Sequence, residues 1–345
     1  MNRRFFIKTS ALLSAGVHLP ALARTFESVV GKIMTVTGPI TPDQLGTCLS
    51  HEHLMSTFGD EPSAKPDYNE AALLDRVVPY LKRVKQLGAQ SIADCTGAYF
   101  GRDGRLLQQM AQRSGVQIIT NTGYYGSAGD RYVPPHAYQE SAEAIAQRWI
   151  TEFEQGIDDT DVRPGFIKIA LDGGPVSDID AKLLRAAALT HAATGLTTAC
   201  HTSNNPAGAK TALTILKEEN VHPAAWIWTY ANNVERTEDL LPAARAGAWI
   251  SLDGVREPDP TSSEEGVFER HLRYLKELKG RNLLSQVLLS HDGDSFPYDG
   301  PFRPYEAIFT HLLPRLAKEG FSSLDIRQLM VDNPARAFTI EKKTI

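Results

Sequence analysis

Short apolar runs alternate along the chain with longer amphipathic segments. Within each short run the apolar positions are nearly continuous, which is typical of strands buried on both faces of a parallel sheet. The pattern predicts eight strands, at residues 46–51, 91–96, 116–120, 165–171, 197–201, 225–228, 249–252 and 287–290.

The segments between the strands carry apolar residues at helical spacing. In residues 71–85, for example, Leu74 is followed by Val77 and Val78 at i+3 and i+4. Asp180 is placed to cap the N-terminus of the helix that follows it. The predicted helices are 71–85, 142–154, 181–193, 208–218, 237–246 and 267–279.

Eight strands joined by short helical crossovers predict an α/β fold, the closed (β/α)8 TIM barrel. An open doubly wound sheet is the alternative, but no Gly-x-Gly-x-x-Gly turn follows the first strand. The chain of 345 residues suits one large barrel, which we assign to residues 24–345. The long loops 126–141 and 254–265 follow the third and seventh strands. We therefore expect them on the C-terminal face, where barrel active sites lie.

The first 23 residues have the features of an export signal. Arg3 and Arg4 precede an apolar stretch that ends in the small-residue pattern Ala21-Leu22-Ala23. The arginine pair followed by two phenylalanines resembles a twin-arginine signal. A disordered N-terminus of a cytoplasmic protein is the alternative. The sequence thus predicts a periplasmic protein whose mature form has no membrane segment.

The composition narrows the classes of partner. A net charge of −5 and a pI of about 6.1 argue against a nucleic-acid-binding protein. The three cysteines, Cys48, Cys95 and Cys200, are too few and odd in number for a disulfide scaffold. We expect a small-molecule substrate, and the sequence leaves a homodimer open.

Histidines and acids fall at the ends of several predicted strands. His51 and His53 end the first strand, and residues i and i+2 of a strand point to the same face. Lys168 lies inside the fourth strand, where a lysine is costly unless it is paired or chemically used. His201 ends the fifth strand and Asp292 the eighth. Because strand ends meet at the barrel mouth, a metal site explains the whole set best.

Several segments together resemble the phosphotriesterase family of the amidohydrolase superfamily. They are Leu-Ser-His-Glu-His-Leu at 49–54, Asn-Thr-Gly-Tyr-Tyr at 121–125, Gly-Phe-Ile-Lys-Ile at 165–169, Cys-His at 200–201, Leu-Asp at 252–253, Leu-Ser-His-Asp at 289–292 and Met-Val-Asp-Asn-Pro at 330–334. Their order and spacing match as well, and they span most of residues 24–345.

The resemblance implies a barrel with two divalent metals. His51, His53 and Asp292 would hold the more buried metal, and His201 the outer one. Lys168 would be carbamylated and bridge both metals. A metal-bound hydroxide would attack the substrate, with Asp292 taking part in proton transfer. Lys168 and Asp292 are therefore the predicted catalytic residues.

The sequence departs from the family at Tyr230, which occupies the position of a second histidine ligand of the outer metal. Three outcomes follow. Tyr230 could complete an unusual two-metal site, the enzyme could work with one tightly bound metal, or the barrel could bind a ligand without catalysis. Retention of the other five polar groups argues against the third outcome.

These ligands predict a metal-dependent hydrolase of lactones or carboxylic esters; an organophosphate triesterase is the alternative. Zinc is the default metal, with manganese, cobalt or iron as alternatives. Tyr125, just after the third strand, is a candidate for substrate contact, with packing at the barrel top as the competing interpretation. Arg256 is a second candidate, although a solvated loop charge beside Glu257 and Asp259 is the favoured interpretation.

Overall fold

The protein is described by a computed structural model that covers residues 29–202, 205–259 and 266–345. The predicted export signal, residues 1–23, lies outside these ranges and stays a prediction, as does the periplasmic location. Among the helices of the described ranges, none is both long and apolar enough to cross a bilayer.

Eight parallel strands surround a common axis, as the hydrophobic pattern predicts. An antiparallel hairpin, β1 (Ile33–Thr35) and β2 (Gly38–Ile40), precedes them. The barrel strands are β3 (Cys48–Glu52), β4 (Ser91–Asp94), β5 (Gln117–Ile119), β6 (Asn121–Thr122), β7 (Phe166–Ala170), β8 (Thr198–His201), β9 (Trp226–Thr229), β10 (Trp249–Leu252) and β11 (Val287–Leu289). Segments β5 and β6 form the third barrel strand, because β5 pairs with β4 and β6 with β7. The (β/α)8 prediction is therefore confirmed.

Helices cover the outside of the barrel. The α-helices are α1 (Glu70–Leu87), α2 (Gly104–Ser114), α3 (Pro135–Gln139), α4 (Ala142–Gln155), α5 (Asp178–Thr194), α6 (Pro206–Glu218), α7 (Leu241–Ala246), α8 (Val267–Gly280), α9 (Leu313–Lys318), α10 (Ser323–Arg327) and α11 (Asn333–Phe338). Short 3-10 turns occupy Pro42–Gln44, Pro223–Ala225, Ala231–Asn233, Thr237–Asp239 and Leu284–Gln286. Two π-helical turns, Ile308–Leu312 and Gln328–Asp332, lead into α9 and α11.

Several features of the helices differ from the sequence-based expectation. Helices α2 and α3 were not predicted, and the predicted helix 237–246 is a 3-10 turn followed by α7. The fifth helix begins at Asp178, and the side chain of Ser177 accepts the capping hydrogen bond from the amide of Asp180. Asp180 as the cap was therefore wrong, because the helix starts earlier than its first apolar residues suggest. The C-terminal helices were not predicted, since prolines and π-helical turns break their 3.6-residue period.

The barrel interior is filled from below by apolar side chains. Cys48, Ala93, Ile119, Phe166 and Trp249 contribute to this cluster from five different strands. The hairpin and α11 close the base of the barrel around them. Because apolar groups fill the lower part, the polar side chains collect at the upper, C-terminal ends of the strands.

A register shift in β3 turns its histidines inward. Cys48 packs inside the barrel, and His51 faces the cavity at the top of the barrel, although the two are three residues apart. Strict alternation would place them on opposite faces. The pairing of β3 with β4 shifts between Leu49 and Glu52, and such a bulge resets the alternation.

The turn at Gly123 sets the position of β7. Gly123 has a φ of 118°, and a Cβ there would lie 2.1 Å from the carbonyl oxygen of Lys168. We expect Gly123→Ala to lower the free energy of unfolding by roughly 3 kcal/mol, because backbone must move and the conformation is strained. Urea unfolding followed by circular dichroism measures this.

The matched control is Gly129→Ala. Gly129 also has a positive φ, 67°, but no atom lies within 4 Å of the added Cβ. Only the backbone strain remains, so we expect a loss of about 1 kcal/mol. Equal losses for the two variants would contradict the assigned contact between Gly123 and the Lys168 backbone.

Candidate metal centre

A cavity of about 520 Å³ opens at the C-terminal mouth of the barrel. It collects the side chains that the sequence predicted for the metal site, together with Tyr125. The predicted residues lining it are His51, His53, Tyr125, Lys168, His201, Tyr230 and Asp292. Arg256 does not line it; its side chain is exposed on the loop after β10, and its role in substrate binding stays a prediction.

Three ligand atoms converge at the floor of the cavity. The Oδ1 atom of Asp292 lies 3.0 Å from His53 Nε2 and 3.3 Å from His51 Nε2. The potential ligand atoms of these three residues lie within 4.8 Å of one another. Burial opposes the ionisation of Asp292, but the charge of His51 foremost outweighs it, so the pKa of Asp292 lies well below its usual range. An ionised carboxylate thus faces two imidazoles.

The other nitrogen of His53 is fixed by Thr96. The Thr96 hydroxyl donates to the carbonyl oxygen of Met55 at 2.7 Å, so it accepts from His53 Nδ1 at 2.8 Å. Burial lowers the pKa of His53, which favours the neutral ring. The proton therefore resides on Nδ1, and Nε2 turns its lone pair toward Asp292.

Asp253 supports the second histidine from β10. Its Oδ1 atom lies 3.3 Å from His51 Nδ1. Its Oδ2 atom accepts the backbone amide of Tyr230 at 2.7 Å, and Ser251 donates to Oδ1 at 2.9 Å. Burial opposes the ionisation of Asp253, but His51 reverses the effect and lowers its pKa. A carboxylate behind a ligating imidazole is the usual support at metal sites.

This donor set fits a divalent metal. Ligands at about 2.0–2.1 Å from a tetrahedral ion lie roughly 3.4 Å from one another. The two separations of 3.0 and 3.3 Å from Asp292 Oδ1 are close to that spacing. Both imidazoles present Nε2; Nδ1 of His53 is hydrogen-bonded to Thr96, and Nδ1 of His51 lies 3.3 Å from Asp253 Oδ1. His51, His53 and Asp292 can therefore hold one ion.

Glu52 joins the first and last barrel strands behind the ligands. It is fully buried and accepts hydrogen bonds from the Ser290 hydroxyl, from the His291 amide and ring, and from the Gly293 amide at 2.6–3.1 Å. His291 Nε2 accepts the amide of Ile308 at 3.0 Å, which leaves the ring proton on the side of Glu52. The segment that carries Asp292, whose φ is 51°, is thereby held in place.

Lys168 and His201 lie beside the three ligands. Lys168 is 1% exposed, and its Nζ atom lies 3.2 Å from His51 Nε2. Burial, followed by the charge of Lys168, lowers the pKa of His201 to about 3. His201 is therefore a neutral imidazole at physiological pH, which is the form that binds metal ions.

Tyr230 contacts Asp292 directly. It adopts a left-handed conformation with a φ of 61° at the end of β9. Its hydroxyl donates to Asp292 Oδ2 at 2.5 Å, and its ring lies 5.0 Å from that of His201. Burial, followed by the charge of Asp292, raises the pKa of Tyr230 well above its usual value. This arrangement is that of a neutral phenol; Tyr230 as a metal ligand stays a prediction.

Aromatic side chains form one wall of the cavity. Tyr125 lies 5.1 Å from Phe100 and 6.0 Å from Phe58, measured between ring centroids, and 5.8 Å from His201. Tyr125 therefore links the wall to the polar floor. Its predicted contact with substrate is consistent with this position.

Four contributors to the site were not predicted from the sequence: Glu52, Thr96, Asp253 and Arg303. Glu52 and Asp253 fall within the segments that resemble the family. A buried carboxylate next to a predicted ligand is a signal that could have indicated both. Thr96 and Arg303 belong to no comparable pattern.

A family model described as "Phosphotriesterase family" matches residues 31–338. The chain belongs to this family. Membership confirms the predicted enzyme class, a metal-dependent hydrolase, and agrees with a site for divalent metal.

Several proteins are similar to this chain over most of their length. A phosphotriesterase homology protein of Escherichia coli is 27% identical, covering 86% of this chain and 99% of that one. An N-acetyltaurine hydrolase of Salmo salar is 26% identical, over 90% and 99%. An aryldialkylphosphatase of Saccharolobus solfataricus is 26% identical, over 87% and 97%.

A solved structure shares the fold. The description of that structure reads "Molecular Engineering of Organophosphate Hydrolysis Activity from a Weak Promiscuous Lactonase Template". Its TM-score is 0.79 at 25% identity, over 89% of this chain and 99% of that chain. The names of these proteins differ in substrate, so similarity alone leaves the substrate of this chain open.

The Thr96 contact generates a prediction about metal affinity. Thr96→Val removes the acceptor for His53 Nδ1 while keeping the shape of the side chain. We expect Zn²⁺ to bind about 10- to 100-fold more weakly, the usual effect of losing such a support. Competition with a chromogenic chelator measures the affinity.

Thr198→Val is the matched control. Thr198 is a buried strand threonine whose hydroxyl has no hydrogen-bond partner among the residues that the structure describes. Its replacement removes no contact of the site, and we expect unchanged affinity. If both variants bind zinc like the parent protein, the orienting role of Thr96 is wrong.

Proposed function

We propose that the protein hydrolyses lactones or carboxylic esters with one divalent metal, zinc by default, held by His51, His53 and Asp292. The observation that carries the proposal is the convergence of two oriented Nε2 atoms on Asp292 Oδ1 at the floor of the cavity. When bound there, such an ion polarises the scissile carbonyl and lowers the pKa of a bound water toward ~7.

The residues of the chain supply the remaining functions. Asp292 accepts the proton released as water attacks the acyl carbon. The Tyr230 hydroxyl holds Oδ2 of Asp292, so that Oδ1 stays turned to the histidines. The aromatic wall of Phe58, Phe100 and Tyr125 contacts the apolar part of the substrate and keeps water from it.

We propose one metal rather than two because the Tyr230 hydroxyl donates its proton to Asp292 Oδ2. A phenol is a poor ligand unless it loses its proton, and burial beside Asp292 opposes that loss. Lys168 then keeps a free amine near His51 and is not carbamylated. In this proposal Lys168 acts as a cation at the cavity floor, where it stabilises the negative charge that develops on the acyl oxygen.

Two other substrate classes are supported by the named relatives. The aryldialkylphosphatase and the engineered lactonase support organophosphate triesters, and the N-acetyltaurine hydrolases support an N-acyl amide. A ligand-binding barrel without catalysis is the remaining alternative. The convergence of oriented ligands on a carboxylate argues against it.

A substrate panel tests the activity. The zinc-loaded protein is given a δ-lactone, an aryl ester, a diethyl aryl phosphate and N-acetyltaurine. We expect the lactone or the ester to have the highest kcat/KM, and Asp292→Asn to lower it by roughly 10³-fold or more, since both a metal ligand and the proton acceptor are lost.

Asp75→Asn, an exposed residue of α1, is the control for the loss of one carboxylate. Preference for the phosphate or the amide would replace the proposed substrate class. Hydrolysis of none of the four would favour the ligand-binding barrel.

Metal counting tests the role of Tyr230. We expect one tightly bound zinc per chain by elemental analysis after gel filtration, both in the parent protein and in Tyr230→Phe. Tyr230→His restores an imidazole at the outer position, and we expect it to raise the count toward two. Two ions in the parent protein would contradict the single-metal proposal, and an unchanged count in Tyr230→His would mean that more than this residue limits the outer site.

A further inference from the structure

Arg303 lies at the rim of the cavity, on the segment after β11. Its position beside the metal centre and the state of its donors set it apart from the other charged groups of the rim.

The backbone of Arg303 is held firmly. Its amide donates to the carbonyl oxygen of Asp294 at 3.0 Å, and the amide of Asp294 donates back at 2.9 Å. Nε of Arg303 also donates to the backbone oxygen of Asp292 at 3.2 Å. The guanidinium is therefore held against the backbone of Asp292, the residue whose carboxylate would hold the metal.

The Nη groups of Arg303 have no hydrogen-bond or ion-pair partner among the described residues. By contrast, the neighbouring Asp294 is 2% exposed and accepts from Ser56 at 2.5 Å. Asp172 accepts from Ser127 and Gly129 at 3.2 and 3.0 Å. It follows β7, on the opposite side of the barrel from Arg303. Asp299, on the same side of the rim, is exposed, and its Oδ1 accepts the amide of the adjacent Gly300 at 2.8 Å. Arg303 is thus the cation of a rim that also carries carboxylates, and its Nη donors are open.

A planar guanidinium with free Nη groups matches a carboxylate in bidentate geometry. The aromatic wall begins at Phe58 and leads to His201, so it can contact the chain of a small acyl group. Since the cavity holds about 520 Å³, the ligand is a small molecule.

We propose that Arg303 binds an anionic group of the substrate, so that the preferred substrates carry a carboxylate or a similar oxyanion a few bonds from the scissile acyl carbon. This inference rests on the proposed hydrolase function and names the substrate class for that site. Arg303 here determines specificity; it takes no part in bond cleavage.

The test uses two aryl esters that differ in one group. Mono-p-nitrophenyl glutarate ends in a carboxylate, whereas p-nitrophenyl valerate ends in a methyl group. With the zinc-loaded full chain, we expect kcat/KM for the glutarate ester to be about tenfold higher, the size of a well-placed charge-assisted hydrogen bond.

Arg303→Gln should remove this preference: the ratio of kcat/KM for the glutarate ester to kcat/KM for the valerate ester should fall about tenfold, through a higher KM for the glutarate ester. Arg303→Lys keeps the charge without the planar fork and should retain part of the preference. Arg245→Gln, an exposed arginine of α7 outside the cavity, should change neither substrate.

A binding measurement separates failure of this inference from failure of the proposed function. Calorimetric titration with glutarate and valerate should show tighter glutarate binding in the parent protein and nearly equal binding in Arg303→Gln. If the valerate ester is hydrolysed but neither assay distinguishes the charged ligand, the anion site is wrong and the hydrolase stands. If neither ester is hydrolysed, the ester-hydrolase proposal fails and calorimetry alone decides whether Arg303 binds anions.

Discussion

The pairing of the first barrel strand with the last is the constraint on which the site depends. His51 and Asp292 lie at opposite ends of the barrel sequence, yet the Asp292 amide donates to the His51 carbonyl oxygen at 3.0 Å. Glu52 reinforces this pairing with a fully buried carboxylate that accepts several hydrogen bonds from the last strand. A buried charge is costly unless hydrogen-bond donors surround it. Loss of the pairing would leave the Glu52 carboxylate without its donors and would at the same time move His51 away from Asp292.

The groups at the cavity floor are each held from behind, which makes the site ready before any ion arrives. Thr96 sets the tautomer of His53, Asp253 supports His51, and Tyr230 orients Asp292. A ligand set that is already oriented loses little side-chain freedom when it binds. These supports come from strands other than those of the ligands they hold. The closed barrel therefore determines ligand geometry as well as ligand proximity.

Much of the fold could be predicted because buried parallel strands leave a simple signal. The predicted strand at 249–252 agrees with β10, and most of the others differ by one or two residues. The convergence of the candidate ligands at one cavity could be predicted because strand ends meet at one mouth. The inward direction of His51 follows from a bulge, which alternation alone does not reveal. Thr96 and Arg303 act through contacts between distant loops and strands, and a single sequence contains no pattern for such contacts.

Tyr230 stands where the family resemblance places a histidine for the outer metal. It links that outer position to Asp292, a candidate ligand of the inner metal. The hydroxyl that would have to bind an outer ion as phenolate already donates its proton to Asp292 at 2.5 Å. For Tyr230 to bind an outer ion, its buried phenol would have to lose its proton, which burial and Asp292 oppose. The hydrogen bond that turns Asp292 toward the histidines would also be lost. An outer ion would thus compete with the geometry of the candidate inner ligands, and this competition is the physical basis of the single-metal proposal.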